Sequence, residues 1–390
     1  MSFSSRREKE IWYAIKFLES TTNIKNVLKE SIGRCPNTKV ATEITACLQQ
    51  GRLFYEAAAV APLEIRPLQI FYGMLGFAKA VIVARMGASL GSLKPNHGLR
   101  DVSSFNSSLE NLQIKMERSE GTFHRFNDAV SRMSGVRYYD TASIPVYITI
   151  PATCSAKLLE KTIALKEILA RVPGLEDLYG KTFGQQAKTW HLSLGHFTGQ
   201  AEGYVSLRID VPGIFLDRES LRTIVEEWRQ KYPFLRKWRL VGAKREWGNS
   251  ALTFGNVQPE PDKEFSEESL RGEGGYLRSL DWRQSQKLLF NEILPPLAGG
   301  LQDSSTYMIE PFESVTLSDL SLLYLGMYLL SSLVRYRPHI WMRAISKSFS
   351  PESSPDGRAL ALIEQFLDLS LREFPVMTVE AIKFNDKCSG

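Results

Sequence analysis

The sequence has little cysteine: its 390 residues contain four, at positions 35, 47, 154 and 388. None lies at a CxxC or zinc-finger spacing, so we predict neither a structural zinc site nor a disulfide framework, and a reducing cytosol fits best. The first 20 residues lack the apolar core and the cleavage site of a secretory signal. The most apolar stretch, Leu320 to Val334, is shorter than the roughly 20 residues that a membrane-crossing helix needs. These absences predict a cytoplasmic protein without a membrane partner.

Motifs of common enzyme classes are also missing. The chain contains no GxxxxGKS phosphate loop, no GxSxG elbow and no HExxH helix, which leaves nucleotide hydrolysis, esterase and zinc protease chemistry unsupported. His191 and His196 lie five apart in a strand-like run, so they should point to opposite faces and share no metal. We therefore predict no metal and no cofactor. Lys and Arg outnumber Asp and Glu by only 48 to 43, which does not by itself mark a nucleic-acid binder.

The patterns that are present predict a predominantly helical α+β fold, with helical lobes flanking a central antiparallel β element. Apolar residues recur at helical spacing, and Pro67 and Gly87 bound a helix that is apolar on nearly all sides. Runs rich in β-branched residues predict strands between them. The predicted helices are 6–17, 38–59, 66–86, 156–170, 219–231, 282–292, 317–335 and 358–373, and the strand-like runs include LQIKMERSEGTFHRF, VYITIPA, TWHLSLGHFT, GYVSLRIDVP and SALTFGNV.

Three regions follow from this order of elements. Residues 1–105 form an N-terminal helical region around the buried helix 66–86, and residues 106–260 form a mixed region of antiparallel strands and helices. Residues 276–390 form a C-terminal helical region that we expect to pack back on the N-terminal helices. Two compact lobes are the expectation for this length, because single hydrophobic cores stop growing near roughly 250 to 300 residues.

Several separated motifs together resemble the YaaC-like protein family. They are RPLQIFYGMLGFAKAVIVARMG, the NHGL turn, the EGTFHRF segment and LLSSLVRYRPHIW, and they span Arg66 to Trp341. Phe71 stands where a tyrosine is usual in the family. The resemblance implies an uncharacterised bacterial cytosolic protein of mainly helical fold, and it supplies no catalytic residues.

A fainter likeness is to HEPN domains, helical modules many of which act in RNA cleavage or antiviral defence. Active members place an Arg and a His on a helix with four to six residues between them. Arg118 and His124 have that spacing, but the glycine between them predicts a strand turn there, which argues against a catalytic pair. Arg335 and His339 miss the spacing, and Pro338 should end their helix.

One candidate site lies where the apolar helix 66–86 ends. Tyr72 and Lys79 are two helical turns apart and can share a face, and Gly98 can aim the ring of His97 at a pocket. Such side chains could hold an anion such as phosphate. The alternatives are that Lys79 extends to solvent or pairs with a carboxylate, and that His97 only stabilises its turn. The predicted anion-binding residues are Arg66, Tyr72, Lys79, His97, Arg335 and Arg337, with His97 as the candidate catalytic residue.

A second candidate site is the segment from Trp228 to Trp247, which carries seven Lys or Arg and one Glu, interleaved with aromatic residues. Cations neutralise phosphates and aromatic planes stack on bases, so single-stranded nucleic acid is a sensible ligand. The alternative is a solvated basic face whose tryptophans belong to the core. The predicted nucleic-acid-binding residues are Arg236, Lys237, Trp238, Arg239, Lys244 and Arg245.

These features favour a binding or assembly component over an enzyme. The expected partners are nucleic acid or a phosphate-bearing ligand, and a protein partner or further copies of the chain. By analogy alone, the setting is a bacterial defence or stress system. The alternative is a HEPN-like nuclease that uses His97 and nearby cationic residues.

Overall fold

The computed structural model describes residues 6–385 except 106, 134, 142–143, 150–151, 200–201, 216, 233–234, 237, 247, 256–264, 266–296, 299–305, 314 and 346–358. The chain divides into two compact units. The first unit comprises residues 1–133, 152–189 and 311–387, and the second comprises 134–151, 190–310 and 388–390. Each unit thus gathers several stretches, whereas the regions expected from the sequence are contiguous.

The described residues form these elements in chain order. The α-helices are α1 Arg6–Leu18, α2 Thr21–Ile32, α3 Thr38–Val60, α4 Arg66–Met86, α5 Thr122–Val130, α6 Leu165–Leu169, α7 Glu176–Phe183, α8 Arg218–Lys231, α9 Asp319–Tyr336, α10 Pro338–Ile345 and α11 Leu360–Lys383. The strands are β1 Leu99–Asp101, β2 Gln113–Met116, β3 Gly135–Thr141, β4 Ile144–Thr149, β5 Thr162–Ala164, β6 Thr189–Gly199, β7 Glu202–Pro212, β8 Arg239–Glu246, β9 Asn249–Gly255, β10 Leu297–Ala298 and β11 Thr306–Ile309. Single 3-10 turns lie at Leu90–Ser92, Leu109–Asn111 and Ser155–Lys157.

The first unit is built around α4. Its bounds follow from local chemistry: Pro67 opens the helix, and Gly87, in the left-handed conformation at φ 67°, ends it. Helix α3 lies so close to α4 that a Cβ on Gly76 would come within 2.9 Å of the backbone nitrogen of Gly51. Helix α9 packs on α4 through the rings of Phe71 and Tyr324, 5.5 Å apart. The prediction of a helix buried on nearly all sides is confirmed.

The first unit also contains a three-stranded antiparallel sheet in the order β1, β2, β5. Two sequence predictions are wrong here. The second half of LQIKMERSEGTFHRF is not a strand turn, because α5 begins at Thr122. The helix predicted over 156–170 is instead a 3-10 turn, strand β5 and the short α6. In both segments the chain forms short elements that differ from those predicted by the local sequence pattern.

The second unit contains a six-stranded sheet in the order β10, β11, β6, β7, β9, β8, together with the β3–β4 hairpin. The strand pairs whose register is resolved are antiparallel. Helix α8 is amphipathic, and Leu221, Val225 and Trp228 join Leu252 and Phe254 in one apolar core. The predominantly helical α+β fold with antiparallel sheets is confirmed. The helix predicted over 282–292 lies outside the described residues.

By length and composition α4 is apolar enough to cross a membrane, and it is the one such helix in the described ranges. Its most apolar window is 72% buried inside the protein. The core helix of a soluble protein has these properties, so the composition is weak evidence for a membrane span. The cytoplasmic location stays a prediction.

Candidate anion-binding site

The turn Asn96–His97–Gly98 follows α4 and is held by its backbone. The N–H groups of Thr122 and Phe123 donate to the carbonyls of Asn96 and His97 at 3.0 Å each, so the turn satisfies the first N–H groups of α5. Gly98 has φ 70°, and a Cβ there would come within 2.3 Å of the His124 imidazole. The turn therefore stabilises the start of α5 through its backbone carbonyls, and the His97 side chain takes no part in these hydrogen bonds.

The His97 ring sits at the edge of an aromatic cluster. It makes edge contacts with Phe71 on α4 and Tyr328 on α9, with centroids 5.4 and 5.6 Å away. Its Nδ1 is buried and makes no hydrogen bond to any residue that the structure describes. Burial lowers the pKa of His97, and the positive charges of Arg335 and Lys79 lower this pKa further. The lowered pKa favours the neutral form of His97.

Arg335 lies in the last turn of α9, where a cation interacts favourably with the carbonyl end of the helix. Its guanidinium carbon is 5.8 Å from the centroid of the Phe71 ring. Its hydrogen bonds go to Ser331 of its own helix, the carbonyl at 3.3 Å and the hydroxyl at 3.5 Å. Within the described ranges no carboxylate pairs with Arg335.

Lys79 is half-buried on α4, two turns beyond Phe71 and Tyr72. Side chains on a helix lean toward its N-terminus, so we expect the Lys79 side chain to extend over Leu75 toward Tyr72. Its charge acts on the pKa of His97. Among the residues that the structure describes, Lys79 has neither a hydrogen bond nor an ion pair, so the alternative of a structural carboxylate partner finds no support there. We call Lys79, His97 and Arg335 the cationic cluster.

A family comparison covers all of these elements. The model of a family described as YaaC-like Protein matches residues 13–382, nearly the whole chain. The chain belongs to the YaaC-like family. The match contains α4, the Asn96–Gly98 turn and α9, so every member of the cationic cluster lies inside it. Searches among curated proteins and among solved structures give no match.

Three other predicted anion-binding residues of this YaaC-like chain have different surroundings. The Arg66 guanidinium donates to the Ala61 carbonyl at 3.1 and 2.9 Å and so holds the turn before α4. Arg337 is buried, forms an ion pair with Asp101 and donates to the Ser104 carbonyl at 3.1 Å. A scaffold acid therefore neutralises Arg337, and the structure does not support its place in an anion site. Tyr72 stacks on Phe54, with centroids 5.5 Å apart.

The sequence reasoning missed the aromatic residues that hold this site together. Phe71 touches His97, Tyr324, Tyr328 and the Arg335 guanidinium. The Tyr328 hydroxyl donates to the Leu99 carbonyl at 2.9 Å, which ties α9 to the strand after the turn. The four-residue spacing of Tyr324 and Tyr328 was a usable signal, because it puts both rings on one face of α9.

The basic segment of the second unit is built differently from a base-stacking platform. Trp238 is fully buried in the apolar core, so its ring offers no face to a base. Lys244 and Arg245 are neighbours on the edge strand β8 and point to opposite faces of the sheet. Arg245 lies over the Phe215 ring at 5.0 Å, Arg236 is exposed, Arg239 is half-buried, and Lys237 lies outside the described residues. This supports the alternative in which the tryptophans are core residues.

The HEPN-like pair is also not assembled. Arg118 is exposed, precedes α5 and lies 3.9 Å from the Glu160 carboxylate, whereas His124 is buried inside α5. The Nδ1 of His124 accepts a hydrogen bond from the Gly121 N–H at 3.2 Å, which caps its own helix. In the part of the YaaC-like chain that the structure describes, no group of three His, Cys, Asp or Glu side chains could hold a metal ion.

Proposed function

We propose that this YaaC-like protein binds a phosphate-bearing anion at the cationic cluster. The proposal rests on two observations. Arg335 and His97 contact the same ring, that of Phe71, and neither Arg335 nor Lys79 has a carboxylate partner among the described residues. Both cations are half-buried, and an anion can form charge-assisted hydrogen bonds with such side chains. An anion of the ligand would supply the missing partner.

The chemistry of the three side chains suits phosphate. A guanidinium and an ammonium form short, charge-assisted hydrogen bonds to phosphate oxygens. A neutral imidazole can donate one further hydrogen bond, and an anion placed beside it would favour its protonated form. Arg337, two residues after Arg335, provides the contrast, because its charge is already neutralised by Asp101.

The proposal concerns binding and assigns no reaction. A general acid or base needs a group that orients it, and the Nδ1 of His97 has no hydrogen-bond partner in the described ranges. A nuclease built on Arg118 and His124 lacks support, since these two residues have separate structural partners. Binding of nucleic acid through the second unit, assembly with a protein partner and a role in defence stay predictions.

Calorimetric titration of the purified full-length protein with inorganic phosphate and with pyrophosphate tests the proposal. Loss of one charged hydrogen-bond donor costs about 1.5–3 kcal/mol, so Lys79→Met and Arg335→Met should each weaken binding about 10-fold to 100-fold. Lys94→Met is the matched control, because it removes the same charge from an exposed lysine three residues before His97. Absence of binding by the wild type, or equal weakening by Lys94→Met, would refute the proposal.

A further inference from the structure

Between residues 70 and 84, the accessible surface of α4 is a narrow stripe. Leu68, Tyr72, Leu75 and Lys79 are half-buried, whereas the other residues between 70 and 84 are buried. At 100° per residue these four side chains lie within about 60° of one another around the helix axis. The stripe therefore runs along the helix from Leu68 to the cationic cluster.

Different elements border the two sides of this stripe. On the side of Tyr72 lies α3, whose half-buried Phe54 stacks on the Tyr72 ring with planes 27° apart. On the side of Phe71 lie His97 and Arg335. Among the described residues, the stripe is thus flanked by an aromatic pair on one side and by His97 and Arg335 on the other.

The Phe54–Tyr72 pair is only partly covered by the rest of the protein. Phe54 and Tyr72 both keep exposed surface, and the Tyr72 hydroxyl has no hydrogen-bond partner in the described ranges. One turn before Tyr72, the Oε1 of Gln69 is buried and also lacks a described partner. A planar ring that carries polar edge groups can use both features, since its face stacks on aromatic side chains and its edge donates to an amide oxygen.

The spacing fits a single ligand. Seven residues separate Tyr72 from Lys79, which corresponds to about 10 Å along the helix. The Lys79 side chain leans back toward Tyr72, so the gap between the ammonium and the ring pair is shorter than this rise. A phosphate joined through a sugar to a planar base spans such a gap, whereas inorganic phosphate occupies only the cationic end.

We propose that the anion is the phosphate of a mononucleotide, with the cationic cluster holding the phosphate and the Phe54–Tyr72 pair holding the base. This inference rests on the proposed function and adds the class of ligand. The cationic cluster supplies the affinity for phosphate, and the ring pair supplies the preference for a nucleotide over a sugar phosphate.

Calorimetry on the full-length wild-type protein with AMP, UMP, ribose 5-phosphate and inorganic phosphate tests the assignment. We expect AMP and UMP to bind at least about tenfold more tightly than ribose 5-phosphate, because base stacking on aromatic side chains adds affinity. Tyr72→Leu should remove this difference and leave the affinity for inorganic phosphate unchanged. Tyr72→Phe keeps the ring and should preserve the difference.

Each outcome decides between the two proposals. Equal binding of AMP and ribose 5-phosphate by the wild type overturns the nucleotide assignment and leaves the phosphate site intact. Preference for AMP that survives in Tyr72→Leu overturns the assignment of the ring pair. Binding that is insensitive to Lys79→Met overturns both proposals, and tighter binding of a 5′-phosphorylated hexanucleotide than of AMP overturns a free mononucleotide as the ligand. The wild-type comparison needs no variant, so the test holds even if Tyr72→Leu fails to fold.

Discussion

The guanidinium of Arg335 lies over the ring of Phe71, 5.8 Å from its centroid, and this contact brings the end of α9 to the second turn of α4. His97 touches the same ring from the turn that follows α4. A buried phenylalanine thus gathers two polar side chains that are more than 200 residues apart in the sequence. Arg337 contrasts with Arg335, because it is buried in an ion pair with Asp101.

This contrast predicts that substitutions of Arg337 and Arg335 lower the free energy of unfolding by very different amounts. Arg337→Met leaves the Asp101 carboxylate without its partner, and breaking a buried ion pair in this way costs about 3–5 kcal/mol. Arg335→Met removes no ion pair among the described residues, so we expect a loss of less than about 1 kcal/mol in the free energy of unfolding. Urea denaturation of both variants measures this. Equal destabilisation by the two substitutions would contradict the assignment.

The lowered pKa of His97 predicts a dependence of stability on pH. The folded state holds the imidazole neutral, so between its lowered pKa and the ordinary value near 6.5 the unfolded chain binds more protons. The free energy of unfolding should therefore be greatest above about pH 6.5 and should fall as the pH decreases below it. Urea denaturation from pH 7.5 to pH 5 measures the slope.

His97→Gln should remove part of this slope and not all of it, because burial also lowers the pKa of His124. His339→Gln is the matched control, since His339 is an exposed histidine. A slope that is the same in His97→Gln and in the wild type would show that His97 does not titrate differently in the folded protein.

The close approach of α3 and α4 predicts a large effect of a single methyl group. A Cβ added at Gly76 would lie 2.9–3.0 Å from backbone atoms of Gly51 and Cys47, which cannot move without shifting α3. Overpacking of this kind costs about 1–3 kcal/mol, so Gly76→Ala should lower the free energy of unfolding by that amount. Gly91→Ala is the control, because its nearest neighbour, the Ser89 hydroxyl, is 3.8 Å away. Similar stabilities of the two variants would contradict the helix contact.

Substitution of Trp238 tests whether this residue belongs to the core or stacks on a base. Its side chain is fully buried, so Trp238→Ala should destabilise the protein by about 3–5 kcal/mol in chemical denaturation. Arg236→Ala, at an exposed position two residues earlier, should change stability by less than about 0.5 kcal/mol. If Trp238→Ala is stable but has lost affinity for a single-stranded oligonucleotide, the result would contradict the core role and support the predicted nucleic-acid interface.

Much of the fold could be predicted because its signals are local. Pro67 and Gly87 bound α4, and the side chain of Ser318 accepts a hydrogen bond from the Ser321 N–H at the start of α9. The β-branched residues Val205, Ile209 and Val211, at alternate positions, marked β7. The start of α5 was missed because its first N–H groups donate to the backbone carbonyls of Asn96 and His97. The residue just before the helix, Gly121, has no side chain that could indicate a helix start.

The sequence by itself determined the helical period and the ends of α4, and it indicated the family, because each is written in neighbouring residues or in their order. It also named Lys79, His97 and Arg335, but equally Arg66 and Arg337. Only the tertiary structure distinguished Arg66 and Arg337, whose partners are the Ala61 carbonyl and the Asp101 carboxylate. A cation binds a ligand or supports the scaffold according to which acceptors lie within a few ångströms, and Asp101, the acceptor of Arg337, is 236 residues away along the chain.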